Sequence, residues 1–389
     1  MPIRQFVWID GEFVSPWVMN IDTDIVIPAM SQENFCQQAD ITLSNVNGRF
    51  DGAFGGIVYG PQSSIIIVLN SIEYPGPEVY SALVFTGLCQ NVDYGYRSVK
   101  IHAGTGDSNA NAYLKFPVHS HEGSDGEDVL FEVMGQDNLK DGKIVIPKQV
   151  KKREWGFLKD QSRKGVLDYV AEWHGCEGFM DEHNQYNHIP PVIIGDNPPY
   201  TGRMKEPMES ESAIAFCNRV RVTSNAFLPA NAPGAEHNSN KVVAYQTTDA
   251  DLIMLLNNEE GEGGAEELAR MKESYGIIDA PDVVVPELST QEECRIRALK
   301  LLARYITYFK RTLPSVVGRT PRLSTRISYQ YPRLINQAWQ ISGMFSGRVV
   351  RAKTNFSPKT GWICYIEVEP YVIPTAAQAE IYGEMDLRQ

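Results

Sequence analysis

Several things are scarce in this sequence of 389 residues, and each scarcity excludes something. Only six cysteines occur (Cys36, Cys89, Cys176, Cys217, Cys294 and Cys364), and no two stand in a C-x-x-C pair. This excludes a disulfide-dense scaffold and is the usage of reduced, buried thiols in a chain made in a cytoplasm. No apolar run approaches the roughly 20 residues that cross a bilayer. The N-terminus, with Arg4 followed by Asp10 and Glu12, lacks the apolar core of a signal peptide, so no membrane anchor is expected. The nucleophile elbow G-x-S-x-G and the zinc motif H-E-x-x-H are both missing. Gly261, Gly263 and Gly264 are interleaved with Glu259, Glu260 and Glu262, which would repel a phosphate. No carboxylate pair is singled out for glycoside hydrolysis.

Carboxylates are also missing from one long segment. Between Arg295 and Lys359 there are fourteen Lys and Arg and no Asp or Glu; with −12 on the whole chain, the remainder carries −26. A split of this kind gives two surfaces of opposite sign, meeting within one chain or between chains. Tyr305, Tyr308, Phe309, Tyr329 and Tyr331 lie among these basic residues. Such a mixture fits nucleic acid and equally a subunit contact, where Arg and Tyr are enriched. The acidic balance of the whole chain favours the subunit contact.

What is present is β-rich at both ends. At 389 residues and 43% hydrophobic content the chain is long enough for more than one core. In Ala39 to Phe54, Ile41 and Leu43 alternate with Thr42 and Ser44, the period of a half-buried strand, and Asn45, Asn47 and Gly48 then turn the chain. Ile3 to Trp8, Phe13 to Met19, Ile21 to Ile27, Ile65 to Leu69, Ala82 to Thr86 and Val99 to His102 are further strand candidates, giving an antiparallel sheet that curls into a barrel or sandwich. The middle is mixed. Val166 to His174 has helical spacing and ends at Gly175; Tyr186 to Pro207 reads as irregular, Ser210 to Cys217 as helical and Asn218 to Ser224 as a strand. Asn257 to Gly264 is a flexible acidic loop, and a short helix follows from Glu266 towards Tyr275. The clearest helix runs from Gln291 to Lys310, opened by Ser289 and Glu292 in a capping pattern, with Leu299, Leu302, Ile306 and Phe309 on one stripe. Ile327 to Tyr331, Gly347 to Ala352 and Trp362 to Val368 return to strand, and the tail after Pro374 is a short helix or an ordered arm.

Two groups of residues have the chemistry of metal ligands. His119 and His121 stand beside Glu122, Asp125, Glu127 and Asp128, but on a loop that fixes no common face. His174, Cys176, His183 and His188 suit zinc by type, yet their spacing matches no ligand framework. Ordinary polar groups at a helix end and a loop explain them as well, and no metal or cofactor is expected.

D-I-T-L-S-N-x-x-G-R-F from Asp40 to Phe50, followed by V-F-T-G at Val84 to Gly87, resembles the first barrel of phage baseplate and tail hub proteins. Ser274-Tyr275-Gly276, then Leu288-Ser289-Thr290-Gln291-Glu292, then A-x-x-L-L-A-R-Y from Ala298 to Tyr305 and W-I-C-Y-I-E-V from Trp362 to Val368, is similar in order to the second half of the same hubs. The resemblance covers the opening and closing stretches and leaves the middle unmatched. It implies an α+β, mostly β fold: two tube-protein-like antiparallel β-barrels with an inserted mixed α+β region. In residue numbers this gives 1–105 as the first barrel, 106–217 as the insertion, 218–226 as a strand of the second barrel, 227–313 as the insertion continued with its helix at 291–310, 314–373 as the second barrel, and 374–389 as a C-terminal arm.

The resemblance also implies a role: a structural component of a phage tail baseplate, not an enzyme, found in the virion. As a homotrimeric hub it would join the hexameric tail tube to a trimeric spike or tip and line a channel through which DNA passes without specific binding. Its partners would be further copies of itself, the tail tube protein, a spike or tail-tip protein and neighbouring baseplate proteins. Acidic and basic parts of adjacent copies would meet head to tail, with Arg319, Arg322, Arg326, Arg348 and Arg351 as interface candidates. Two other readings stay open. One is a metal-dependent cell-wall hydrolase of the tail using His174, Cys176 and His183. The other is a distal-tail, fibre-attachment or sugar-binding adaptor that stacks sugars on Trp8, Trp17, Trp155, Trp173, Trp339 or Trp362, residues that serve more often as core or interface anchors.

Overall fold

In the computed structural model, residues 3–28, 37–50, 52, 56–72, 79–105, 123–135, 142–147, 152–153, 155, 161–197, 208–211, 217–224, 243–335 and 338–383 are described. The first part is all strand: β1 (Ile3–Ile9), β2 (Glu12–Phe13), β3 (Val18–Val26), β4 (Gln38–Ser44), β5 (Ser64–Ile72), β6 (Val79–Tyr94) and β7 (Ser98–Gly104). The middle follows with α1 (Glu127–Met134), α2 (Arg163–His174), β8 (Glu177–Met180), β9 (Tyr186–Ile189), β10 (Met208–Glu211), β11 (Arg221–Thr223), β12 (Ala244–Gln246), α3 (Asp249–Leu256), α4 (Gly264–Tyr275), β13 (Val283–Val284) and α5 (Gln291–Phe309). The chain closes with β14 (Lys310–Leu313), β15 (Ser315–Val317), β16 (Arg326–Ile335), β17 (Ala338–Ser357), β18 (Gly361–Glu369) and α6 (Thr375–Tyr382).

The opening motif does locally what its residues dictate. Ile41 and Leu43 are fully buried, while Asp40 and Thr42 face outward. Asn45 accepts a hydrogen bond from the Phe50 amide (2.9 Å) and donates to the Gly95 carbonyl (3.1 Å), tying the end of β4 to the β6–β7 turn. Asn47 and Gly48 take positive φ. The chain then delivers Phe50 to the core and lays the Arg49 guanidinium 3.8 Å from the centre of the Trp17 ring. Bulges in the β5–β6 and β6–β7 ladders bend the sheet around that core. At the bend Gly87 lies so close to β7 that a Cβ would sit 2.4 Å from the Gly104 carbonyl oxygen.

Among the described residues the expected pair of barrels does not close. Strands from both ends of the chain make one open thirteen-stranded sheet in the order β10-β14-β18-β17-β3-β4-β7-β6-β5-β1-β2, with β15 paired to β18 and β16 to β17. The reason lies in β3, which pairs with β4 on one edge and with β17 on the other. The edge that a closed first barrel would need is occupied by a strand of the last part. Packing still divides the sheet into two lobes. One buried cluster gathers Val7, Ile41, Ile67, Phe85 and Ile101; another gathers Ile189, Val316, Val349, Cys364 and Ile366. A third, built on α1 to α6, fills the middle part.

Other expectations also change. β11 is not a strand of the large sheet; it pairs with β12 and β13 in a separate three-stranded sheet against α5. Tyr186–Ile189 is not irregular but pairs with β8 as a hairpin. Met208–Glu211, where a helix is expected to begin, pairs with β14. The helix signals at Val166–His174 and Gln291–Lys310 correspond to α2 and α5, and Gly175 ends α2 at φ 71°.

Candidate functional site

The two lobes exchange side chains where they join, and this junction is the most elaborated region of the sheet. β3 and β17 are registered from Arg351↔Val26 to Phe356↔Ile21. Alternation along β17 and β18 turns Phe356 and Trp362 into the cluster of the first lobe, while alternation along β3 turns Ile25 into that of the last. On the outward face, Arg351 grips Asp24 with two hydrogen bonds (2.8 and 2.6 Å) and reaches Glu367 at 3.2 Å. Asn355 donates to Asp22 (2.5 Å). Ser71 donates to the Gly318 carbonyl (2.6 Å), and Tyr80 to that of Thr320 (3.2 Å). The Trp362 indole N–H meets the Thr320 hydroxyl at 3.1 Å. Fully buried Gln37 accepts from the Val26 amide (2.9 Å) and donates to the Met180 carbonyl, so the β8–β9 hairpin is held to the same junction.

A cavity of about 570 Å³ opens beside it, walled by Tyr80 to Leu83 of β6, by Asp181, Glu182 and His183 at the hairpin turn, by 194–197, by 320–323 and by Thr325. Its polar wall is internally paired in part: Arg322 Nε lies 3.5 Å from Glu182. Burial first, then the neighbouring Asp181, raise the Glu182 pKa above the usual carboxylate range.

No protein-family model matches the sequence, and no curated protein does. Solved structures do. The 43 kDa tail protein of prophage MuSo2 from Shewanella oneidensis aligns with a TM-score of 0.59 at 11% identity, over 96% of this chain and 100% of that one. The tail protein from Neisseria meningitidis MC58 aligns with a TM-score of 0.58 at 10% identity, over 98% of this chain and 99% of that one. The chain has the phage tail-protein fold. Because both alignments run end to end, the tail fold includes the middle part as well as the sheet.

Within this tail fold the five candidate arginines fall into different environments. Arg348 is not on a surface. It is 1% exposed, its guanidinium 2.7 and 2.9 Å from the two oxygens of Glu177 and 2.6 Å from Glu369, both also buried. Burial opposes its charge, but the two carboxylates more than offset this and raise its pKa. Arg348 thus fastens β17 and β18 to β8. Arg351 locks the junction described above. Arg326 pairs with Glu259 and lies 3.5 Å from Asp196. Arg319 sits 5.1 Å from the centre of the Tyr80 ring, and Arg322 is the most exposed of the five.

The metal candidates do not form one site. His174 and His188 meet, with Nδ1 and Nε2 2.7 Å apart, but the other His174 nitrogen donates to the Asp125 carbonyl at 2.6 Å. That fixes the tautomers: His174 carries its proton on Nε2, and His188 donates from its own Nε2. The Cys176 thiol points at the Val145 carbonyl (3.7 Å), its pKa raised by burial, while His183 is exposed at the hairpin turn. Among the described residues no three His, Cys, Asp or Glu side chains could hold a metal ion. His119, His121 and Glu122 lie outside the described residues. Trp17, Trp155, Trp173 and Trp362 pack in or against the clusters. No described helix is long and apolar enough to cross a membrane.

Sequence reasoning missed Gln37, Glu177 and Glu369. Glu369 gave no signal: alternation along β18 turns Cys364, Ile366 and Val368 inward and would place Glu369 outward with Tyr365 and Glu367, but the alternation breaks at this last residue, which is buried.

Proposed function

We propose that the chain is a structural component of a phage tail baseplate, a hub that joins a hexameric tail tube to a trimeric spike or tip. Three copies, each offering two sheet lobes, would present six comparable units to the tube and enclose a channel through which DNA passes without being gripped. The partners of this reading are other copies of the chain, the tail tube protein, a spike or tail-tip protein and neighbouring baseplate proteins, assembled in the virion. The observation that carries it is the end-to-end match to two tail proteins. The junction supports it physically: lobes that exchange Phe356, Trp362 and Ile25 and share the β3–β17 ladder move as one body, as a part transmitting load between tube and spike must. Arg319 and Arg322 are kept as contact candidates at the rim; Arg348 and Arg351 are assigned to holding the fold. The hydrolase reading depends on His174, Cys176 and His183 acting together, and these do not converge.

The test uses particles. Antibody against this chain should label the tail end distal to the capsid, and deletion of its gene should yield heads without assembled tails. Particles with complete tails in its absence would refute a hub.

A further inference from the structure

β6 outruns the strand beside it. It extends from Val79 to Tyr94 and pairs with β5 from Val79 to Leu88, but β7 reaches it only from Leu88 to Tyr94. Among the described residues, no strand pairs with the β7-side edge of Val79–Leu83. Alternate residues of that stretch therefore turn their amides and carbonyls to an open edge. Sheets commonly guard such edges with proline or charge, and Val79 to Leu83 has neither. The bulge of this ladder falls at Val84 and leaves Val79–Leu83 in register with β5.

The open edge walls the 570 Å³ cavity. Tyr80, Ser81, Ala82 and Leu83 all line it. Side chains alternate across a strand, so four successive residues meet one space through the strand's edge. Ile25 and Phe179 add apolar lining. The charges in the lining are unevenly matched. Asp181 is taken up by its own turn, accepting from the amides of His183 (3.0 Å) and Gln185 (2.9 Å) and from the Asn187 side chain (3.1 Å). Glu182 is 9% exposed, yet the cations that it meets among the described residues stand beyond hydrogen-bond length. Arg322 Nε lies at 3.5 Å, on a side chain that is 73% exposed, and His183 Nε2 at 3.9 Å. Burial chiefly raises the Tyr80 pKa and the Glu182 charge adds to it, which puts this carboxylate near the edge strand. With Asp181, Glu182 and Asp196 set against Lys143 and Arg322, the lining carries one carboxylate in excess.

We propose that Tyr80–Leu83 receives an extended segment of another protein as an added strand, and that a Lys or Arg of this segment pairs with Glu182. Resting on the reading of the chain as a tail component, the donor is a different, neighbouring tail protein. The edge lies inside the junction, faced by 194–197 and 320–323. A single extended segment enters such a slot, whereas the sheet edge of a second folded copy does not. Main-chain hydrogen bonds to the edge supply affinity, and the side-chain site at Glu182 supplies the choice of sequence.

The test starts in assembled particles. The photo-crosslinker p-benzoylphenylalanine in place of Ser81, which is exposed, should join the chain to a segment of a different tail protein. Mass spectrometry should identify that segment and find Lys or Arg in it. Made as a short acetylated peptide with a fluorophore, the same segment should bind the purified full chain by fluorescence anisotropy. Glu182→Gln should weaken this binding roughly thirtyfold or more, as loss of one member of a buried charge pair does, with an unchanged unfolding midpoint. N-methylation of alternate peptide amides should abolish binding in one of the two possible phases, because it removes main-chain donors and leaves every side chain in place. A crosslink to this chain itself, no crosslink in particles, or a peptide held equally by wild type and Glu182→Gln overturns the proposal and leaves the hub reading standing. The hub reading fails separately, by particles that complete their tails without this chain.

Discussion

Removing Arg348 leaves Glu177 and Glu369 buried without their shared cation. Arg348→Met should therefore destabilise the chain by roughly 3–5 kcal/mol, whereas replacing all three residues by apolar ones should come close to restoring it. Urea unfolding of the two variants checks both outcomes. The histidine pair gives the chain an acid limit. Burial chiefly holds His174 at about 4, below its usual 6.5, and lowers His188 as well. As pH falls through 6.5 the unfolded chain takes up protons that the folded chain refuses until about 4. Stability is thus complete above that window and lost within it, by roughly 2 kcal/mol at pH 5 from His174 alone. His174→Gln should flatten the fall in unfolding midpoint between neutral and mildly acidic pH.

At the scale of elements, α5 shows how closely a sequence signal can be read. The stripe of Leu299, Leu302 and Ile306 is buried as spaced, but the cap sits one residue later than Ser289 and Glu292 imply. Thr290 accepts from the Glu293 amide (3.1 Å), and Glu293 accepts from the Thr290 amide (3.0 Å). Thr290→Ala should lower stability by about 1 kcal/mol, measured by thermal unfolding, and Ser289→Ala by less. α3 was legible in the same way, through Thr248 and Asp251, and was missed. Periodicity and turn residues revealed β1, β3, β4, β5 and β7 because those signals are local. That β3 would pair with β17 was not legible, since alternation along a strand does not say which strand lies beside it. The basic segment teaches the same lesson. Arg322, Arg326, Arg348 and Arg351 meet Glu182, Glu259, Glu177 and Asp24, all from outside the run. A run of one sign in sequence is not a patch of one sign in space.

For the whole molecule, the exchange of Phe356, Trp362 and Ile25 across the junction makes the lobes cooperative. Phe356→Ala should remove roughly 3–5 kcal/mol and shift the unfolding of both lobes together, seen as one transition by tryptophan fluorescence and by circular dichroism. The central claim is the proposal about assembly, that this chain would work as a ring of copies between a tube and a spike. The most direct measurement is the mass of the purified full chain in solution by light scattering. Three copies, about 131 kDa against 43.6 kDa for one chain, is the expected result. A particle of 43.6 kDa at every concentration would contradict the account.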